Sequence, residues 1–521
     1  MTPIFSIPTP HPQGEQPVVA YSATGPVQVN TFAGQIQVIW DHTAPVTPQG
    51  QMAFFIEFLK QAGLFERLVA TCPLASSSPN ASEVRDVLGT IVRSILSGHW
   101  RYAHMTSTRF DQVNAALLGM TKTVSEDTVR RTLARIGGVE GAEWLQRQFD
   151  YTTSVLLCEP WVLDIDTSVK PLFGHQEGAV IGYNPTRPGR PSHNFYCYMM
   201  ANLRLVVETH VAAGKRRSSK HCAPCLWALL DRLAPEQRPW LLRGDAGFGN
   251  EPIMVEAEQR NQPYLFKQRI TPNVKRTIEK AMEDQGWQPV VSGWEGKCGK
   301  LQLKGWSHKR NIVILRRPKA CRKSDVGGKR GQLQLPFREI STQQDAMFEY
   351  AVLVTSLEEE ALTVAACYCD RADCENNFDE LKNQWGWGGF TTKDMKRCRL
   401  MAGLVALCYN WWNLFARLAD PDHHREAITS RPLLLNGVGR VTNHAGQTTV
   451  TITSSHGDHQ AAETAFRRIA SFFATLRETA EQLTPIERWH RILSEALKSF
   501  LNGKILHPPQ RLLPSAAATY G

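Results

Sequence analysis

No run of apolar residues in this chain reaches the ~20 that a membrane-spanning helix needs. The longest, Leu400 to Ala416, is interrupted by Asn410 and Asn413 and reads as a buried core helix. The first residues lack the basic-then-apolar pattern of a secretion signal. The 12 cysteines are scattered, several within apolar runs such as those holding Cys158, Cys197 and Cys408. That distribution argues against a disulfide framework and for reduced thiols. His221-Cys-Ala-Pro-Cys225 is a lone CxxC, without the second pair that a zinc site needs. There is no P-loop, HExxH or GxSxG motif, so ATP-driven and common hydrolytic chemistries gain no support. No internal repeat is found. These absences lead us to expect a cytoplasmic protein with no membrane partner.

What is present is an ordinary globular composition, 42% hydrophobic and 21% charged, over 521 residues, long enough for several domains. The net charge is +10, which favours a polyanionic partner, nucleic acid first. Residues 1–50 read as an arm with a hairpin over Val27 to Asp41. Residues 51–150 read as all-helical, ending in VSEDTVRRTLARIG, with Ser125 as N-cap and Gly137 as stop. Residues 151–270 change to strands: WVLDID, HNFYCYMMANL and LRLVVETHVA in succession, then RPWLLRGD and PYLFKQ alternating with helices. That is the order of an α/β fold with an RNase H-like mixed sheet flanked by helices. Residues 271–345 read as a basic, β-rich insertion. Within 271–340 alone Lys/Arg stand at 16 positions and Asp/Glu at 6, with Trp287, Trp294 and Trp306 interleaved. Residues 346–420 resume the core with a strand, EYAVLVTS, and a long helix over Glu358 to Gln384. Residues 421–521 hold a hairpin and amphipathic helices.

Three acids carry the chemical argument. Asp164 and Asp166 lie in the apolar run VLDID, so on a strand they share a face. Burying two acids there is costly unless charged partners or a metal meet them; a strand-end salt bridge would also serve. Asp245 ends the apolar strand WLLRGD, where open α/β sheets bind their ligands; a turn or helix-capping role is the plainer reading of that residue alone. The third acid is Glu375. At about 100° per residue, Tyr368, Arg371, Glu375 and Lys382 fall within an arc of about 60° on one helix, and Asp379 joins the same stripe. Such a face suits a carboxylate on a metal with Arg and Lys on phosphate oxygens. An ion-pair ladder, Arg371 to Glu375 at i,i+4, is the bland alternative.

The spacing Y-x2-R-x3-E-x6-K, met by Tyr368, Arg371, Glu375 and Lys382, resembles the signature of the DDE transposases of bacterial insertion sequences, in the subgroup with that Y-R-E-K motif. Asp245-Ala-Gly-Phe248 is similar to the motif around their second aspartate. Asp166-Thr167-Ser168 resembles the D-G-T around their first but lacks its glycine; with Asp164 so near, either acid is a candidate for the first ligand. The resemblance spans about residues 160–420.

It implies Asp166, Asp245 and Glu375 as catalytic residues and ligands of two Mg²⁺ or Mn²⁺ ions, with Asp164 as an additional candidate. Two hard cations about 3.5–4 Å apart activate the attacking oxygen and stabilise the leaving one. It further implies cleavage at terminal inverted repeats, joining of 3′-hydroxyl ends to target DNA, a hairpinned DNA intermediate, and a homodimer pairing two ends in a nucleoid-associated complex. Tyr368, Arg371 and Lys382 would then hold phosphates, and Trp287, Trp294 or Trp306 would stack on a flipped base. From the helical region we expect Arg130, Arg131 and Arg135 to face DNA. Two rival readings are an inactive DNA-binding descendant and a nuclease that cuts without joining.

Overall fold

The computed structural model describes residues 26–39, 41, 43, 45–74, 81–184, 187–215, 219–283, 285–318, 348–453, 458–479 and 482–507. The chain divides into two compact units, Met1–Pro45 and Val46–Gly521. In the first, Val27–Thr31 and Gly34–Val38 form the expected antiparallel hairpin. The arm expected before it falls on residues 1–25, outside the described residues.

The second unit is built on one ten-stranded mixed sheet. Its first strands come in quick succession: β1 (Val162–Pro171), β2 (Pro191–Met200) and β3 (Leu205–Ala213), each antiparallel to the next. Two parallel strands, β4 (Leu241–Gly244) and β5 (Tyr264–Lys267), follow on the other side of β1. Short apolar runs bounded by turn residues make such strands, and Leu163, Ile165, Leu241, Leu242 and Leu265 are at most 1% exposed.

The basic insertion differs from the expectation of a separate β-rich domain. It opens with a helix, Pro272–Glu283, whose Val274 and Ile278 are buried. Its strands β6 (Glu295–Leu301) and β7 (Arg310–Pro318) then join the main sheet through β8 (Phe348–Thr355), which pairs with β5. The reason is legible in β7 and β8: NIVILRR and EYAVLVT are apolar on both faces, as a strand in a covered sheet must be. The rest of the insertion, 319–347, lies outside the described residues.

Among the helices, α1 (Val84–Leu96) and α2 (Glu126–Arg135) belong to the N-terminal helical region. Ser125 caps α2, its Oγ accepting from Thr128 N at 3.2 Å. The helix stops at Arg135, and Gly137 begins the next helix, Gly138–Thr153. The helix expected over 358–384 is instead two, α3 (Ala361–Cys369) and α4 (Arg371–Asn383). The break coincides with Arg243 Nη1 donating to the Cys367 carbonyl, a side chain entering the helical ladder. The apolar run forms α5 (Met395–Ala419), buried along nearly all its length. Its two asparagines face β3: Asn410 accepts from Val206 N at 2.8 Å and donates to Val206 O at 2.7 Å, and Asn413 donates to Arg204 O at 3.0 Å. No described helix is long and apolar enough to cross a membrane.

Candidate active site

The first two acids are brought together by strand register. In the parallel pair β1/β4, Asp164 stands opposite Arg243 and Ile165 opposite Gly244. One further step sets Asp166 beside Asp245, and paired strands lie about 4.8 Å apart. The register is pinned by a buried ion pair: Arg243 Nε and Nη2 donate to the two Asp164 carboxylate oxygens at 2.7 and 2.9 Å. Both partners are buried, at 3% and 0% exposure.

Asp245 stands in a tight turn. Gly247 N donates to Asp245 Oδ1 at 2.8 Å, and a Cβ on Gly247 would come within 2.9 Å of that oxygen, so a side chain there would push the carboxylate aside. Asn250 closes the turn, donating to Gly247 O at 2.8 Å and capping the following helix, Glu251–Gln259, through Ile253 N. The DAGFGN sequence is therefore a strand-turn-helix joint that holds one acid at a strand end.

Glu375 comes from α4. One turn earlier, Arg371 donates to Glu375 Oε1 at 2.5 Å, and its other terminal nitrogen lies 3.9 Å from Asp166 Oδ1. Arg371 is 2% exposed. Burial opposes its charge, but Tyr368, Asp164, Asp166 and Glu375 together hold the guanidinium firmly protonated. Asp166, Asp245, Glu375, Tyr368, Arg371 and Lys382 line one cleft of about 400 Å³, with Asp379 and Lys267 on its wall. Burial pushes the Asp166 carboxyl up to about 6; Arg371 opposes this, and the neighbouring Asp245 and Glu375 add to it. Burial and Arg371 bring Lys267 down to about 8, against the pull of Glu375 and Asp245. Burial also raises the Tyr368 hydroxyl.

The acids share a cleft but do not form a finished ligand set. Among the described residues no three His, Cys, Asp or Glu side chains stand close enough together to hold an ion. The Arg371 guanidinium stands between Asp166 and Glu375. The donor chemistry nonetheless fits a hard divalent cation, with three carboxylates and open cleft space. Burial first, and the neighbouring Asp245 and Glu375 second, raise the Asp166 carboxyl, and a cation would offset both.

Several sequence expectations change here. Asp164 has both of its oxygens on Arg243 and does not line the cleft, unlike Asp166. Trp294 and Trp306 are only 3% and 9% exposed. Their rings pack under Arg317 and Arg310 at 4.8 and 5.2 Å, and it is this burial that leaves neither ring open to a base in this structure. Trp287 is half-buried beneath Arg316 at 4.0 Å. On α2, Arg131 pairs with Asp127 at 2.9 Å, and Arg130 lies 3.8 Å from Glu126 and over the Tyr102 ring; Arg135 is exposed. Two of these three arginines thus already have carboxylates on their own helix. Asp379 is exposed and accepts from Asn383 at 2.6 Å.

Sequence reasoning missed Arg243 and Lys267, though both had signals. Arg243 is a charge inside an apolar strand, which demands a partner. Lys267 ends PYLFK as Asp245 follows WLLRG, at the carboxyl end of a parallel strand.

Residues 45–473 match the family described as Transposase DDE domain group 1. The chain belongs to that family. No curated protein matches the chain. Among solved structures, the chain is similar to a piggyBac transposase in a synaptic complex with hairpin DNA. The identity is 11% and the TM-score 0.35, covering 91% of this chain and 90% of that one.

Proposed function

We propose that the protein is an active transposase that cuts DNA at terminal inverted repeats and joins the freed 3′-hydroxyl ends to target DNA. The observation that carries this reading is one open cleft to which two neighbouring strands and a helix bring Asp166, Asp245 and Glu375, with Arg371, Lys382 and Lys267 around them. Bound divalent cations would supply activation of the attacking oxygen and charge neutralisation at the leaving one. The three carboxylates are the residues that would hold them.

The chain's own residues do the remainder. With Glu375 turned to a bound cation, the Arg371 guanidinium would be able to take a phosphate oxygen, a group for which its planar fork is suited. Lys382, exposed on α4 two turns beyond Glu375, takes a neighbouring phosphate. The Tyr368 hydroxyl, kept neutral by burial, donates a hydrogen bond to a phosphate and carries no charge of its own. Asp164 acts through Arg243 as a positioning residue that fixes the spacing of Asp166 and Asp245.

The test is a cleavage and strand-transfer assay with labelled element-end DNA. Wild-type protein should cut and join in Mg²⁺ and do neither in EDTA. D166N, D245N and E375Q should each lose cutting while retaining DNA binding. Cutting that persists in any of the three variants would refute the assignment.

A further inference from the structure

The turn QWGWGGF has no part in the chemistry above, yet it forms a built joint beside the cleft. Gly386 and Gly388 adopt φ of +66° and +76°, conformations that favour glycine. A Cβ on Gly386 would lie 2.6 Å from Trp100 Cβ, and one on Gly389 would lie 2.4 Å from the Trp100 carbonyl. Phe390 N donates to that carbonyl at 2.8 Å. The turn that ends α4 is therefore fitted against the segment just after α1, and it seats Trp100 and Arg101 there. Trp100 is 45% exposed, and the Arg101 guanidinium lies 4.4 Å from its ring centroid.

Two of the three elements that supply acids to the cleft, β1 and α4, run toward this joint. On β1 the face that carries Asp166 carries Ser168 and then Lys170, with no bulge between them in the pairing with β2; at ~3.3 Å per residue Lys170 lies about 13 Å from Asp166. On α4, Lys382 lies seven residues beyond Glu375, about 10.5 Å along the axis. Lys170 then packs beneath the turn, its Cδ 3.7 Å from where a Gly388 Cβ would stand. Burial, Arg101 and Lys382 all disfavour its charge, as expected where three cations gather. A polyanion would relieve that crowding.

We infer that Lys382, Lys170 and Arg101 form a track for the DNA backbone leaving the cleft, ending at Trp100, on which an unpaired base stacks. The deduction rests on the transposase reading for its ligand. Lys170, about 13 Å from Asp166, stands roughly four base steps of 3.4 Å along the track, so a base on Trp100, beyond Lys170, lies at least that many nucleotides from the reacting phosphate. Arginine planes and tryptophan rings both stack on bases, and the Arg101–Trp100 pair presents one over the other. It also supplies what the buried Trp294 and Trp306 lack, an exposed aromatic near the cleft.

The experiment uses the full chain in EDTA. One DNA is a duplex with a short single-stranded tail carrying 2-aminopurine, and the other is the same duplex with blunt ends. W100A should weaken binding of the tailed DNA about 5- to 100-fold, leave the blunt duplex within about 3-fold, and abolish the fluorescence change of the tail. W100F should restore most of the binding. R101A and K170A should each lower the slope of log K against log salt by about 0.7–0.9. Thermal melting of each variant confirms folding. If folded W100A, R101A and K170A bind and cut like the wild type, the track is wrong and the transposase reading stands. If binding depends on Trp100 but wild type cuts no better than D245N in Mg²⁺, the track stands and the transposase reading fails. A wild-type protein that binds neither DNA overturns both.

Discussion

Removing the Asp164 carboxylate should cost stability rather than metal affinity. The pair it forms with Arg243 is bidentate, at 2.7 and 2.9 Å, and is closed to solvent. Breaking a buried pair by taking one partner costs about 3–5 kcal/mol, because the other charge stays buried without compensation. In a folded unit this large, 1 kcal/mol moves Tm by about 1–2 °C, an extrapolation from smaller domains. D164N in EDTA should therefore melt about 3–10 °C below wild type, and R243M should fall as far. The double variant D164L/R243M, apolar and of similar volume, should recover most of the loss. A melting series with and without Mg²⁺ reads both quantities at once, since a ligand of the native state raises Tm by mass action. Folded D164N should keep the Mg²⁺-induced rise. A D164N that melts like wild type in EDTA but has lost that rise would make Asp164 a ligand and refute the positioning role.

Other outcomes follow from the same geometry. The Asp166 carboxyl lies at about 6 when folded against an ordinary 3.8, so the proton is held more tightly in the folded state. That stabilisation is complete below pH 3.8 and is lost as pH rises through about 6. D166N in EDTA should thus melt above wild type at pH 7.5, by up to about 3 kcal/mol, with the gap closing near pH 4; D166N melting below wild type at pH 7.5 would contradict this. Lys267, brought down to about 8, should set an upper limit on cutting no higher than about pH 8, because cations added to the cleft push the same way; K267R should move that limit above pH 10 in a rate-against-pH series. W294A should destabilise by about 3–5 kcal/mol, as emptying a core site does, seen by denaturant unfolding, with DNA affinity unchanged once the protein is folded.

Much of the fold was legible because strands and helices announce themselves by apolar spacing. The five strands from WVLDID to PYLFKQ and the α5 run were all readable from that pattern. The joining of the insertion to the sheet was not. Nothing local in NIVILRR says which strand it pairs with, so the sequence shows a strand in an insertion without showing that the strand belongs to the main sheet. At the site, the spacing from Tyr368 to Lys382 pointed to one functional face, and the cleft gathers those residues. The role of Asp164 was hidden because an acid inside an apolar strand looks the same whether it meets a metal or an arginine. Only the parallel register, Asp164 against Arg243, separates the two. The burial of Trp294 and Trp306 was not legible because it depends on pairing partners of β6 far away in sequence.

The edge strand β3 carries a consequence for assembly. Its outward carbonyls are claimed one after another by side chains. Asn410 takes Val206, Arg399 takes Val211 at 2.9 Å, Gln146 takes Val207 at 3.3 Å, and just before the strand Asn413 takes Arg204 and Arg417 takes Leu203 at 2.8 Å. An open edge invites a second chain to add a strand, and with it uncontrolled polymerisation. Here that invitation is withdrawn residue by residue by one long helix and its neighbour. Adding a strand along β3 would therefore require a second chain to displace these side chains first.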